Sequence, residues 1–102
     1  MSTPPFNQLT PAEVERLTLL AEECAEVIRA VGKILRHGYG SRYPEDGPTN
    51  RERLESELGD VDCARALLVL SGDVRMAAIV SAYLKKREKV GRWLHHNTIP
   101  TP

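Results

Sequence analysis

From Pro11 to about Arg36 the chain carries no further proline, is rich in Leu, Ala and Glu, and stops at His37-Gly38. A run of that length and composition predicts one long α-helix. Its start is equally well marked. Thr10 can act as the N-cap, Pro11 suits the first helical position, and Glu13 completes a capping box. At the other end Gly38 provides the residue that tolerates a positive φ. His37 to Thr49 (HGYGSRYPEDGPT) is dense in Gly, Pro, Ser and Asp and reads as a loop. It is long for a helix–helix connection, which leaves both a solvated connector and a functional element open.

Thr49 or Asn50 is expected to cap a second helix that runs to about Leu70 and is stopped by Ser71-Gly72. Asp73 is then expected to cap a third helix, Val74 to about Leu94. No alternating β-branched run occurs. The expected fold class is all-α: three helices at about 11–36, 50–70 and 74–94, in a single domain over 10–94. A flexible arm (1–9) precedes it and a flexible tail (95–102) follows. A chain of 102 residues has room for only one domain and buries a modest core. Cys63 to Leu70 is apolar nearly all round apart from Arg65, so the second helix should be central to the packing. Two other helices are too few to cover it, and the three-helix protomer is expected to complete a bundle as a homodimer or homotetramer.

Charge excludes some functions. Fourteen basic residues balance 14 acidic ones, so no general attraction to nucleic acid or anionic membrane is expected. The apolar run Ala66 to Gly72 is too short to span a bilayer, and Met1 to Leu9 has no cationic region followed by an apolar stretch. A cytoplasmic location is the expectation. Cys24 and Cys63 belong to no C-x-x-C or Cys/His cluster and are expected to be reduced, buried small hydrophobes.

The chemistry emerges when the acids are placed around their helices at about 100° per residue. With Glu23 at zero, Val27 and Ile34 fall within about 40° on one side and Leu19 within about 40° on the other. Leu17, Leu20, Cys24, Val31 and Leu35 continue this apolar arc. Glu23 therefore points into the expected buried face and Glu26 lies at its edge, while Glu22 turns toward the polar side with Arg29 and Arg36. With Glu57 at zero, Leu54, Val61, Ala64 and Leu68 lie within about 60°, and Asp60 sits between Ala64 and Leu67. Two helices thus each drive an i, i+3 pair of acids toward the core. Inward carboxylates must be paired, protonated or metal-bound. Lys33 and Arg53 are the nearest cations and too few to pair four acids. Four converging carboxylates suit a hard cation, Mg²⁺ or Mn²⁺. A surface salt-bridge pattern explains any single E-x-x-E; two such pairs, each inside an apolar arc, favour the metal.

Glu22-Glu23-Cys24-Ala25-Glu26 reads as E-E-x-x-E and Glu57-Leu58-Gly59-Asp60 as E-x-x-D. On consecutive helices separated by a loop, these motifs resemble the signature of the MazG-like all-α pyrophosphohydrolases. Dimeric dUTPases and phosphoribosyl-ATP pyrophosphatases are relatives in the same superfamily. The resemblance covers roughly Leu17 to Trp93. It implies Mg²⁺-dependent hydrolysis of a nucleoside triphosphate to the monophosphate and pyrophosphate, by an oligomer with sites near subunit contacts. By motif position, Glu23, Glu26, Glu57 and Asp60 are the implied metal ligands. Glu22 matches the remaining acid, a water-orienting or outer group, so that Glu22, Glu23 and Glu57 are the implied catalytic residues. Many members have an acid immediately before the second motif's Glu, where this chain has Ser56. Phosphate-binding cations often follow the E-x-x-D helix in this family. Lys85, Lys89 and Arg92, which share a stripe, are candidates, although a solvated basic helix end explains them equally well. Lys33, on the same side of its helix as Glu26, is another.

Two other readings are weaker. A carboxylate-bridged di-iron bundle calls for Glu-x-x-His motifs, and the chain has none. A helical interaction or DNA-binding module would use the short Ser71-Gly72-Asp73 connection as a helix-turn-helix. The segment after it, VRMAAIVSAYL, is too apolar for a major groove.

Overall fold

The computed structural model describes residues 6–97, and among these the chain forms three α-helices: α1 (Pro11–His37), α2 (Asn50–Leu70) and α3 (Met76–Val90). The described residues include no strand, and the single bridge, Arg42 to Thr49, lies within the loop. The expected capping box at Thr10 forms, and Thr49 with Glu52 forms a second. Thr10 Oγ1 accepts from the Glu13 N–H at 3.1 Å while Glu13 accepts from the Thr10 N–H at 2.8 Å. Thr49 Oγ1 accepts from the Glu52 N–H at 3.1 Å, and the Glu52 carboxylate accepts from the Thr49 N–H at 3.0 Å. The Thr49 N–H and the Thr49 hydroxyl, which donates to the same carboxylate oxygen at 3.0 Å, hold the Glu52 carboxyl below its usual range. Thr49 rather than Asn50 is therefore the cap of α2. Gly38, at φ 85°, ends α1. Of the arm and tail expected at 1–9 and 95–102, residues 1–5 and 98–102 lie outside the described residues.

α1 and α2 form an antiparallel hairpin fastened at both ends. Beside the loop, the Asn50 side chain donates to the Gly38 carbonyl at 3.0 Å, and the Asn50 N–H donates to Ser41 at 2.9 Å. At the far end Arg16 Nε and NH2 donate to the two oxygens of Asp73 at 2.6 and 3.0 Å. This fork also explains why α3 differs from its expected 74–94. The Asp73 carboxylate, engaged by Arg16, does not cap α3, which begins only at Met76 behind Arg75, with no side-chain cap. Past Val90, the Arg92 and Trp93 N–H groups donate three residues back, to Lys89 and Val90, and the helix has ended at Gly91.

Burial departs furthest from the sequence expectation. Among the described residues the buried apolar set is Ala30, Ala64 and Leu68, at the α1–α2 contact. Leu17 and Val31 are exposed, Leu35 is 81% exposed, Leu70 is 83% exposed, and both cysteines are free and exposed rather than buried. The apolar arcs of α1 and α2 are wider than one facing helix can cover, and α3 adds little. Only α1 and α2 make an extended helix–helix contact. The radius of gyration is 17.8 Å, against about 13 Å for a compact domain near 100 residues. The described residues form an αα-hairpin with an arm.

Candidate metal centre

Capping at Thr49 sets the phase of α2, and through it the direction of Glu57 and Asp60. Three residues apart, they stand one turn apart on the side that faces α1. Glu23 meets them from α1. One carboxylate oxygen from each of Glu23, Glu57 and Asp60 lies within 4.8 Å of the others; Glu23 and Glu57 are half-buried and Asp60 is exposed. Loss of hydration raises the Glu23 carboxyl above its usual range, and the charges of Asp60, Glu57, Glu26 and Glu22 push it further up. No basic side chain pairs with any of the three among the described residues. The arrangement is a concentration of negative charge with no salt bridge to it among the described residues.

Oxygens bound to one Mg²⁺ at about 2.1 Å stand some 3–4 Å apart, so small rotations of these side chains suffice to close on an ion. An all-carboxylate donor set selects a hard divalent cation over a soft metal. Glu26, the fourth acid expected in the set, is not drawn into the cluster. Its oxygen lies 3.6 Å from Arg29 NH1, one turn on. It lines an adjoining cleft of ≈ 380 Å³ with Glu57, Ser56, Lys33 and Arg53. Ser56 thus does face the site, in the place where an additional acid would add charge. Glu22 is exposed beside Glu23.

The chain's likeness to known proteins agrees with this geometry. The family model described as MazG nucleotide pyrophosphohydrolase domain matches residues 13–94. The chain belongs to the MazG family. The matched segment includes all three acids of the cluster, Glu26, and every helix beyond the first two residues of α1. No curated protein and no solved structure matches the chain.

Against the MazG pattern, the cations divide. Lys33 lines the cleft. Lys85, Lys89 and Arg92 do not: the first two lie on α3, and Arg92 lies beyond its end. Within the chain they are not brought to the acids. Arg53 and Asn50, by contrast, line the cleft beside Lys33. Arg53 was visible in the sequence only as a possible ion-pair partner, and Asn50 as a possible cap. Their common signal was position, in the first turns of the helix that carries the E-x-x-D motif.

No helix among the described residues is long and apolar enough to cross a membrane.

Proposed function

We propose that this MazG protein is a Mg²⁺-dependent nucleoside triphosphate pyrophosphohydrolase, with Mn²⁺ able to substitute. It cleaves an NTP or dNTP between the α and β phosphates, giving monophosphate and pyrophosphate. The observation that carries the reading is the unneutralised Glu23–Glu57–Asp60 cluster opening beside a cleft that also holds Lys33 and Arg53. Glu23, Glu57 and Asp60 would hold the ion, with Glu26 turning from Arg29 to join them. When bound, Mg²⁺ clamps phosphate oxygens, neutralises developing charge and polarises the attacking water. The chain's own residues supply the rest. Lys33 and Arg53 meet the phosphate chain with positive charge, as phosphoryl chemistry requires. Glu22, exposed and next in sequence to Glu23, would orient the water and accept its proton.

A homodimer or homotetramer is part of the same reading. α3 leaves Met76, Val80, Tyr83 and Leu84 exposed, and the hairpin leaves Ile28, Leu35 and Leu70 exposed. An apolar surface that broad on a small chain is best accounted for by a second copy. Lys85, Lys89 and Arg92 would then reach the cleft from the neighbouring protomer. Incubation of purified protein with a panel of triphosphates and Mg²⁺ tests the reaction. Pyrophosphate release in step with monophosphate is expected, and EDTA should abolish it.

A further inference from the structure

A second cavity, ≈ 440 Å³, opens between the end of α1 and the loop, and the proposed reaction uses only its border at Lys33 and Arg53. Its lining includes Lys33, Arg36, His37, Arg42 and Arg53, and no carboxylate. Lys33, Asn50 and Arg53 line both cavities, so the two clefts adjoin. Charge therefore changes sign along one trough, from the acid cluster at Glu23 and Glu57 to a basic cup at Arg36 and Arg42. The cup is shaped by its own hydrogen bonds. Arg42 NH1 donates to the Gly47 carbonyl at 2.8 Å, Arg53 NH2 donates to the Tyr43 carbonyl at 2.7 Å, and the Arg51 N–H donates to Tyr39 at 3.0 Å. Arg36 and Lys33 have no hydrogen-bond or ion-pair partner among the described residues, which leaves their charge available to a ligand. Tyr43, at the rim, is 88% exposed.

We propose that this cup is a second phosphate site, which holds a phosphate group of the nucleotide other than the one held at the acid cluster. Arg42 lies 4.0 Å from the Glu52 carboxylate, but Lys33, Arg36 and Arg53 have no ion-pair partner among the described residues. Guanidinium and ammonium groups so disposed around one cavity match a phosphate ester or anhydride. The distance sets the rest. Lys33 lies ten residues from Glu23, about 15 Å along the helix, and Arg53 lies four residues from Glu57, about 6 Å. The cup thus begins within the span of one nucleotide and continues beyond it. The occupant is either the far end of the 5′ phosphate chain or a phosphate on the sugar. The shared chemistry is a phosphate remote from the cleaved bond. The inference rests on the proposed activity only in naming a nucleotide as the ligand.

Calorimetry of the full-length protein in EDTA reads the cup apart from hydrolysis. Inorganic pyrophosphate should bind, and Arg36→Ala should weaken it at least fivefold while Arg36→Lys stays within about threefold of wild type. Arg36 is the cleanest position, because Arg42 also anchors the loop. Adenosine 3′,5′-bisphosphate and ADP then distinguish the two sources. Tighter binding of the bisphosphate, lost in Arg36→Ala, assigns the cup to a sugar phosphate; tighter binding of ADP, lost in the same variant, assigns it to the chain end. Absence of pyrophosphate binding at 10 mM or so, well above ordinary phosphate-site affinities, overturns the proposal. So does equal binding by wild type and Arg36→Ala. A protein that binds in EDTA yet hydrolyses no triphosphate with Mg²⁺ would instead refute the proposed reaction and leave the cup standing.

Discussion

Glu57→Gln removes one of three carboxylates whose oxygens lie within 4.8 Å of one another, and its effect on stability should reverse sign with the metal. In EDTA the wild-type cluster is a set of like charges with no cation beside it, so the variant should melt higher than wild type. With Mg²⁺ the order reverses. An ion at 100 times its Kd stabilises the folded chain by about 2.7 kcal/mol. For a domain of this size that is a rise of roughly 11–22 °C in Tm. Losing even an outer partner of a metal site weakens binding about 10- to 100-fold, and losing a direct ligand should cost at least as much. At the same Mg²⁺ concentration the gain then falls to about 1.4 kcal/mol or less, half the wild-type shift or smaller. Differential scanning fluorimetry of both proteins, in EDTA and across a Mg²⁺ series, measures all four quantities. An Mg²⁺-induced rise in Glu57→Gln equal to that of wild type would refute the assignment of the cluster to metal.

The remaining predictions follow from other parts of the molecule. Glu23 has a raised carboxyl in the folded chain, so the stability it contributes is present below the ordinary value of 4.5 and lost as pH rises through the folded value. Metal-free Tm should therefore fall from mildly acidic toward neutral pH, and Glu23→Gln should flatten that fall; a flat wild-type profile would contradict the crowding. Glu52 and Asp73 are shifted downward, so their stability is present above the ordinary 4.5 and 3.8 and disappears in stronger acid, giving a melting maximum between the two effects. Thr49→Ala removes the side-chain cap of α2 and should cost about 1 kcal/mol, read as a lower urea midpoint with an unchanged slope. Light scattering at micromolar concentration should give a multiple of 11.4 kDa, and an active monomer would contradict the oligomer.

Local signals made much of this structure legible. Thr10-Pro11-Ala12-Glu13 and Thr49 with Glu52 are short-range capping patterns, and both helices they begin stand where the sequence placed them. Glu23, Glu57 and Asp60 could be brought together on paper because helical phase is a local property and the loop forces α1 and α2 to run back along each other. What the sequence did not show depended mostly on distant contacts. Asp73 looked like a cap until Arg16, at the start of α1, claimed its carboxylate. Glu26 shares a helix face with Glu23 but has Arg29 within 3.6 Å, an alternative that phase alone does not rank. Cys24, Cys63, Leu35 and Leu70 carry an apolar pattern, yet all four are exposed, because α1 and α2 cover only part of each other. The basic cup stayed hidden because Arg36, Arg42 and Arg53 come from a helix end, a loop and a helix start, with no common period.

The most direct test of the account is phosphorus NMR of the purified protein turning over a nucleoside triphosphate with Mg²⁺. Cleavage at the α–β bond predicts monophosphate and pyrophosphate in equal amounts, with no diphosphate intermediate. The reaction should be silenced by EDTA and by Glu57→Gln, and restored to wild type by Mn²⁺. Orthophosphate and diphosphate as the first products, or equal rates in Glu57→Gln, would contradict it.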